Sequence, residues 1–480
     1  MGRQSSLHGA GQEDMRKILF IRTVDTKSEV ESRYPGLGLA YLVSSLRSCF
    51  GENYFEFKII ERGSELDVKK QIVDFTPDIV GISSVTQNFN LAKRYASFTK
   101  ERGIPVIMGG VHISMLPQSL PKDVDLACIG EAEETIKKIF DMLIRRKGFI
   151  EDELKKISGI AFRDSNNDLV VTDPRSLIED LDDIRIPARD LLEIRKHSYV
   201  FSSRGCPFKC AFCASTRFWD KVRLFSAEYV VNEIEELYNK YHVNVISFYD
   251  DLFIIKPRRL AEITALLKKK GLHNKIKFTC SCRADLVNEN IAGLLKDMGI
   301  VSVGMGLESG SSRILKYLKG EAASVEKNSN AVNVLKKHGI AVNASLVIGS
   351  PDETEAEMME TYNFIKKSSL DLVDIYVLTP YPGTPVWGYA KDRGIVSDDM
   401  DWSKFNINFS EDHQNSIILS ELYDRKQIYK FYNKFRRLRL YFNIKNIWHS
   451  PFLIDLPRYI IKIVWSKINL HGKFSNNKYC

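Results

Sequence analysis

The sequence predicts an α/β protein with an N-terminal doubly wound, Rossmann-like domain, then a partial (β/α)6 barrel, then a helical C-terminal region. Three observations point there. Short runs rich in Val and Ile alternate with amphipathic stretches over residues 17–148, the pattern of a parallel sheet wrapped by helices. The same alternation resumes over about 197–400 with six further strand candidates. A chain of 480 residues also exceeds what one ordinary core supports, so two or three domains are expected.

Residues 1–14 read as a disordered tail. From 15 to 148 the strand candidates are KILFIRTV, FEFKIIE, DIVGISS, IPVIMGG and DLACIGE, separated by helix-like segments such as GLGLAYLVSSLRS and NLAKRYASFTKERG. In doubly wound sheets the ligand crevice lies beyond the carboxyl ends of the strands. That rule marks Ser83, Ser84, Val85, Thr86 and Gln87, then Gly109, Gly110 and His112, then Gly130 and Glu131. Residues 149–196 break the pattern: ISGIAFRDSNNDLVVTD reads as a hairpin turned at NND, and the whole stretch as a linker wrapping between domains. From 197 to 400 the strand candidates are SYVFSSRG, VNVISFYD, IKFTCSC, VSVGMGLE, AVNASLVIG and VDIYVLTP. Functional residues of such barrels cluster where strands give way to loops. Residues 401–480 are aromatic and basic, and helices packed on the barrel or lying at a surface are expected there.

Hydrophobic residues make up 44% of the chain and charged residues 27%, as in a soluble globular protein. No apolar run reaches 18 residues and no secretory segment is visible, so a cytoplasmic protein is expected. The net charge of +8 is concentrated, because residues 421–480 hold 13 Lys or Arg against 3 Asp or Glu. A basic excess confined to one end suits a solvated helical face or peripheral membrane contact better than nucleic acid, which is not expected as a partner.

The segment RGCPFKCAFCAS places Cys206, Cys210 and Cys213 at C-x3-C-x2-C spacing just after a strand candidate. Three thiolates on one short loop can hold an iron–sulfur cubane and leave one iron without a protein ligand. The alternative is a zinc loop, which would want a fourth Cys or His; His197 lies nine residues upstream of Cys206 and is poorly placed. The motif closely resembles that of the radical S-adenosylmethionine (SAM) superfamily, and Phe212 beside the third cysteine matches the usual aromatic. The resemblance implies a [4Fe-4S] cluster whose open iron binds SAM, and a low-potential electron donor such as flavodoxin or ferredoxin.

Later motifs resemble the SAM-binding positions of the same superfamily. SFYDDLF offers Asp250 and Asp251 to the SAM ammonium, although Asp is also a favoured helix cap. SCRADL offers Arg283 and MGLESGSSRIL offers Glu308 to the carboxylate and ribose; either can instead form a barrel salt bridge. SLVIGSPDET supplies Gly349, where backbone would approach adenine, and LTPYPGTPVW supplies Pro380 as a pocket wall. Tyr249, Tyr376 and Tyr381 are candidates to line the substrate pocket, or core residues.

A doubly wound domain ahead of such a barrel is similar to the arrangement in cobalamin (B12)-dependent radical SAM proteins. The resemblance covers about 17–400 and rests on PGLGLAYLVSSL, SSVTQN, GGVHIS and GEAE. It implies cobalamin against Ser83–Gln87, Gly109, Gly110, His112, Gly130 and Glu131. The D-x-H-x-x-G signature of an axial histidine is absent, which implies base-off, His-off binding. The function implied is C-methylation of an unactivated carbon in a small metabolite or natural-product intermediate. Two alternatives stay open: a cyclase or rearrangement enzyme using both cofactors, possibly on a lipid-like substrate, and a non-enzymatic cobalamin sensor.

Overall fold

The computed structural model describes residues 16–25, 34–405 and 414–445. The first sheet contains β1 (Arg16–Arg22), β2 (Phe55–Ile60), β3 (Ile79–Ser83), β4 (Val106–Gly109) and β5 (Leu126–Cys128), paired parallel in the order β2-β1-β3-β4-β5. Both faces are covered, which is why these strands read as near-continuous apolar runs. Ile18 and Phe20 pack with Ala40, Tyr41 and Phe140 of helices Leu37–Phe50 and Glu133–Arg146. Leu19 and Ile21 pack with Ile72, Phe89 and Tyr95 of helices Glu65–Phe75 and Phe89–Lys100 on the other side. The strand order reverses between β1 and β3, which opens a crevice at their carboxyl ends.

The expected linker is not one throughout. Its hairpin, β6 (Ile160–Arg163) and β7 (Leu169–Val171), pairs antiparallel with β5 and extends the first sheet to seven strands. The NND turn is present, with Asn167 at φ +65°. Alternation in sequence reveals a strand but not its partner; here the free edge of β5 supplies unpaired backbone groups that the hairpin satisfies.

The remaining strands are β8 (His197–Val200), β9 (Ser203–Arg204), β10 (Arg223–Leu224), β11 (Val245–Phe248), β12 (Lys277–Cys282), β13 (Ile300–Glu308), β14 (Ala341–Ile348) and β15 (Leu372–Val377). Six of them form a parallel sheet in the order β8-β11-β12-β13-β14-β15, while β9 and β10 make a small antiparallel pair. β15 and β8 do not pair, so this is an open, partial barrel with helices outside. Val342, Ala344 and Leu346 of β14 are buried, whereas Asn343 and Ser345 between them are half-buried. The lumen is polar: His197 Nε2 lies 2.8 Å from Ser247 Oγ, and Asn343 Nδ2 donates to Ser302 Oγ at 3.0 Å.

Helix Arg425–Lys445 packs against β15, burying Ile428, Tyr432, Phe435, Leu438 and Phe442, a stripe at helical spacing. Arg439 pairs with Asp374 of β15 at 2.9 Å. The expected tail 1–14 and the stretch 446–480 lie outside the described residues. Among the described residues, no helix is long and apolar enough to cross a membrane.

Candidate active site at the facing strand ends

The cysteine loop begins where β9 ends, and Asp250 shapes its base. Its carboxylate accepts from the Ser202 amide at 2.6 Å, the Ser203 amide at 3.2 Å and the Ser202 hydroxyl, while Arg259 holds the Ser202 carbonyl at 2.6 Å. Burial pushes the Asp250 carboxyl up to about 6 despite those bonds. Both oxygens are thus taken by residues 202 and 203, which corrects the expectation that Asp250 faces the SAM ammonium. Asp251 is different: exposed, it accepts from Ser215 Oγ at 2.6 Å and acts electrostatically on Cys206 and Cys213. Gly205 is required next to the first cysteine, since at φ +92° an added Cβ would lie 2.6 Å from the Lys221 carbonyl oxygen.

Cys206, Cys210 and Cys213 are half-buried free thiols on one loop, close enough to influence one another. Burial raises the thiols of Cys206 and Cys213, the latter to about 11, so their thiolates form when iron displaces the protons. Among the described residues, no three His, Cys, Asp or Glu side chains converge on a point that could hold a single metal ion. A cubane spreads its thiolates over separate irons, and three free thiols on one loop are a donor set it can take. Phe212 is half-buried against the core shared with the first domain.

Glu308 ends β13 at a register shift, at φ +59°, a conformation that a non-glycine residue keeps only when its surroundings hold it. Buried, it faces Lys319 at 3.7 Å, and burial raises its carboxyl. Arg283 is buried as well and reaches the cysteine loop, donating to Cys210 Sγ at 3.4 Å. Gly349 does not look into the barrel mouth as expected. At φ +80°, a Cβ there would meet Val377 and Ile428, and its amide donates to Glu353 Oε2 at 2.7 Å. It is a glycine because the turn needs a left-handed residue.

Pro380 is buried, and the neighbouring Tyr381 packs against Phe405 with ring centroids 5.9 Å apart, in the core between the domains. Tyr249 is 38% exposed and stacks on Tyr34 of the first domain at 4.5 Å, with Tyr199 edge-on. Tyr376 is half-buried, on the same face of β15 as Asp374.

At the edge of the first sheet several expected cobalamin contacts are instead structural. His112 is fully buried, with Nδ1 3.2 Å from Thr86 Oγ1 and Nε2 3.1 Å from Ser119 Oγ, between Phe89 and Trp402. Burial pushes its imidazole down to about 3, so it stays neutral. Ser84 is buried and donates to the Val85 carbonyl at 2.9 Å. Glu131 is buried in an ion network with Arg204 and Arg223, and Glu133 joins it through Arg204 at 2.5 Å. Ser83, Val85, Gln87, Gly109, Gly110 and Gly130 remain half-buried at the strand ends. At Gly130 a Cβ would enter open space, whereas at Gly110 it would lie 2.5 Å from the Ser84 carbonyl oxygen. Open space beside backbone fits a corrin tail passing that edge.

Sequence reasoning missed Tyr34 and the arginines of the network. The signal for the network was present: GEAE carries two acids, and Arg204 stands two residues before Cys206.

Comparisons with known proteins match two segments of the chain. Residues 200–365 match the Radical SAM superfamily and residues 24–140 match the B12 binding domain. The chain is 35% identical over 396 residues to the uncharacterized methyltransferase PH0819 of Pyrococcus horikoshii, covering 79% of this chain and 83% of that one. It is 27% identical over 446 residues to the anaerobic magnesium-protoporphyrin IX monomethyl ester cyclase of Rubrivivax gelatinosus, covering 90% and 78%. The radical SAM methyltransferase TsrM of Kitasatospora setae, solved with cobalamin and a [4Fe-4S] cluster, shares the fold at TM-score 0.64 and 15% identity, covering 79% and 75%.

Proposed function

The chain belongs to the branch of the radical SAM superfamily that carries a B12 binding domain, and from that premise we propose how its residues serve a C-methyltransferase. It is an enzyme whose cofactors are a [4Fe-4S] cluster, SAM and cobalamin. When bound, the cluster with SAM supplies a carbon-centred radical, and cobalamin supplies a methyl group. The substrate is a small molecule attacked at an unactivated carbon.

The single observation that carries the reading is the juxtaposition of the two strand-end faces. Arg204, two residues before Cys206, is held by Glu131 of the loop after β5 and by Glu133 at the start of the helix that follows, and Tyr249 of the barrel stacks on Tyr34 of the first domain. Cys206, Cys210 and Cys213 hold the cluster. Asp251 and Glu308 are the carboxylates left to orient the polar groups of SAM, one at the mouth and one at the bulge of β13. Gly109 and Gly130, where no close protein atom fills the space of a side chain, let cobalamin approach the first sheet, whereas Gly110 lets the chain close on Ser84. The Tyr34, Tyr199, Phe201 and Tyr249 rings wall the gap between the faces and keep water from a substrate radical.

Anaerobically reconstituted protein, given SAM, a low-potential donor of the flavodoxin or ferredoxin class and a candidate substrate, tests this. Methylated product together with S-adenosylhomocysteine supports methyl transfer. 5'-Deoxyadenosine with a cyclised or rearranged product and no S-adenosylhomocysteine supports the cyclase reading, which the likeness to the Rubrivivax enzyme favours.

The C-terminal helix supports peripheral contact with an anionic membrane. Arg425–Lys445 contains no Asp or Glu, and Leu440, Tyr441 and Ile444 are exposed near its end. Salt-sensitive co-sedimentation with phosphatidylglycerol vesicles, absent with phosphatidylcholine, is the expected result.

A further inference from the structure

Arg283 follows β12, is 5% exposed, and has its guanidinium engaged on every side. Nε donates to Asp285 Oδ1 at 2.7 Å and Nη2 donates to the Lys319 carbonyl at 3.2 Å. The guanidinium lies 3.9 Å from the centroid of the Phe208 ring. Nη1 donates to Cys210 Sγ at 3.4 Å. These partners frame the cysteine loop. Phe208 belongs to it, and the residue before Lys319, Leu318, accepts the Ala211 amide at 2.9 Å. A guanidinium bound this way has no free fork for a SAM carboxylate, the role suggested by its place in the sequence.

We infer that Arg283 is a positioning residue that raises the reduction potential of the cluster through Cys210. Adding an electron to a thiolate-ligated cluster increases negative charge on its sulfurs, and a charged N–H donor at one sulfur stabilises that state more than the oxidised one. Asp285 offsets part of the positive charge, so the effect depends on the directed bond to sulfur as well as on net charge. The aromatic contact with Phe208 holds the group in a low-dielectric site, where the bond gains strength.

The inference rests on Cys206, Cys210 and Cys213 being the cluster ligands, and the experiment separates the two claims. Full-length parent, Arg283→Met and Arg283→Gln are reconstituted without air, assayed for iron and sulfide, and titrated potentiometrically by electron paramagnetic resonance without SAM. SAM affinity is read separately from the spectral change on adding it. At the parent's midpoint the reduced-to-oxidised ratio of both variants is expected to fall about tenfold, which is 59 mV for one electron, with SAM affinity little changed. An unchanged midpoint in either fully loaded variant overturns the inference, and an unchanged midpoint with weakened SAM binding reassigns Arg283 to the SAM carboxylate. If the Met variant loads no cluster, the Gln variant carries the measurement; if neither loads, Arg283 is needed to build the loop and potential-setting is rejected. Iron retained in full after alanine replaces all three cysteines defeats the underlying reading instead.

Discussion

At the carboxyl edge of the first sheet, many polar side chains are closed into the protein, whereas at the barrel mouth the cysteines and Asp251 stay half-buried or exposed. His112 is held by Thr86 and Ser119, and Glu131 by two arginines. The three thiols and Asp251 make few protein bonds beyond the contacts of Arg283 and Ser215. The difference teaches that a motif at a strand end can be there to brace the edge or to meet a ligand. At the first sheet, His112 and Glu131 do the bracing.

The comparison breaks most sharply at the cysteines. Replacing any one of Cys206, Cys210 or Cys213 by alanine should eliminate the cluster absorbance and reductive SAM cleavage while leaving cobalamin uptake, measured by its optical spectrum, in place. Loss of cobalamin uptake in those variants would show that the two edges are not separate in function.

Next in size is the ion network joining the edges. Glu131→Ala leaves Arg204 and Arg223 buried beside a missing partner, and breaking a buried pair from one side costs about 3–5 kcal/mol. Denaturant unfolding should report a loss of that order. A loss under 1 kcal/mol would mean that water reaches the site.

Titration of one buried group on each side sharpens the contrast, because the signs are opposite. The pKa of His112 is lowered to about 3 by burial, so its contribution to stability is full above about 6.5 and declines as pH falls toward 3, by on the order of 3 kcal/mol at pH 4. Glu353, under the Gly349 turn of the barrel, is raised to about 7 by burial. Its folded form prefers the proton, so stability is full below about 4.5 and declines as pH rises to 7, again by on the order of 3 kcal/mol. Glu353→Gln keeps an oxygen for the Gly349 and Ser350 amides and should stabilise the protein at pH 8 but not at pH 4. A pH-independent gain would refute the titration.

The smallest effect separates two glycines on the same edge. Both have positive φ, but Gly110→Ala meets the Ser84 backbone and Gly130→Ala meets open space. Thermal unfolding should show Gly110→Ala to be worse by about 1–2 kcal/mol. Equal losses would mean that the Ser84 strand end shifts freely.

Much of the fold was legible in the chain. Fully covered parallel strands are continuous Val and Ile runs, so β1 to β5 and the six barrel strands stand out, and the cysteine spacing within one loop is local. What was not legible depended on neighbours. SFYDDLF offers two aspartates without saying which one turns back onto residues 202 and 203. GGVHIS offers a histidine without showing Phe89 and Trp402 closing over it, since Trp402 comes from 290 residues further on.

By itself the sequence determined the two alternating sheets, the thiol triplet on a strand-following loop and the basic terminal helix, because periodicity and loop spacing act over a few residues. Only the tertiary structure decided that the hairpin completes the first sheet, that Arg204 bridges to Glu131 and that Arg283 points at Cys210. Those outcomes depend on which unpaired edges and buried charges meet in space, and desolvation makes each such meeting all-or-none.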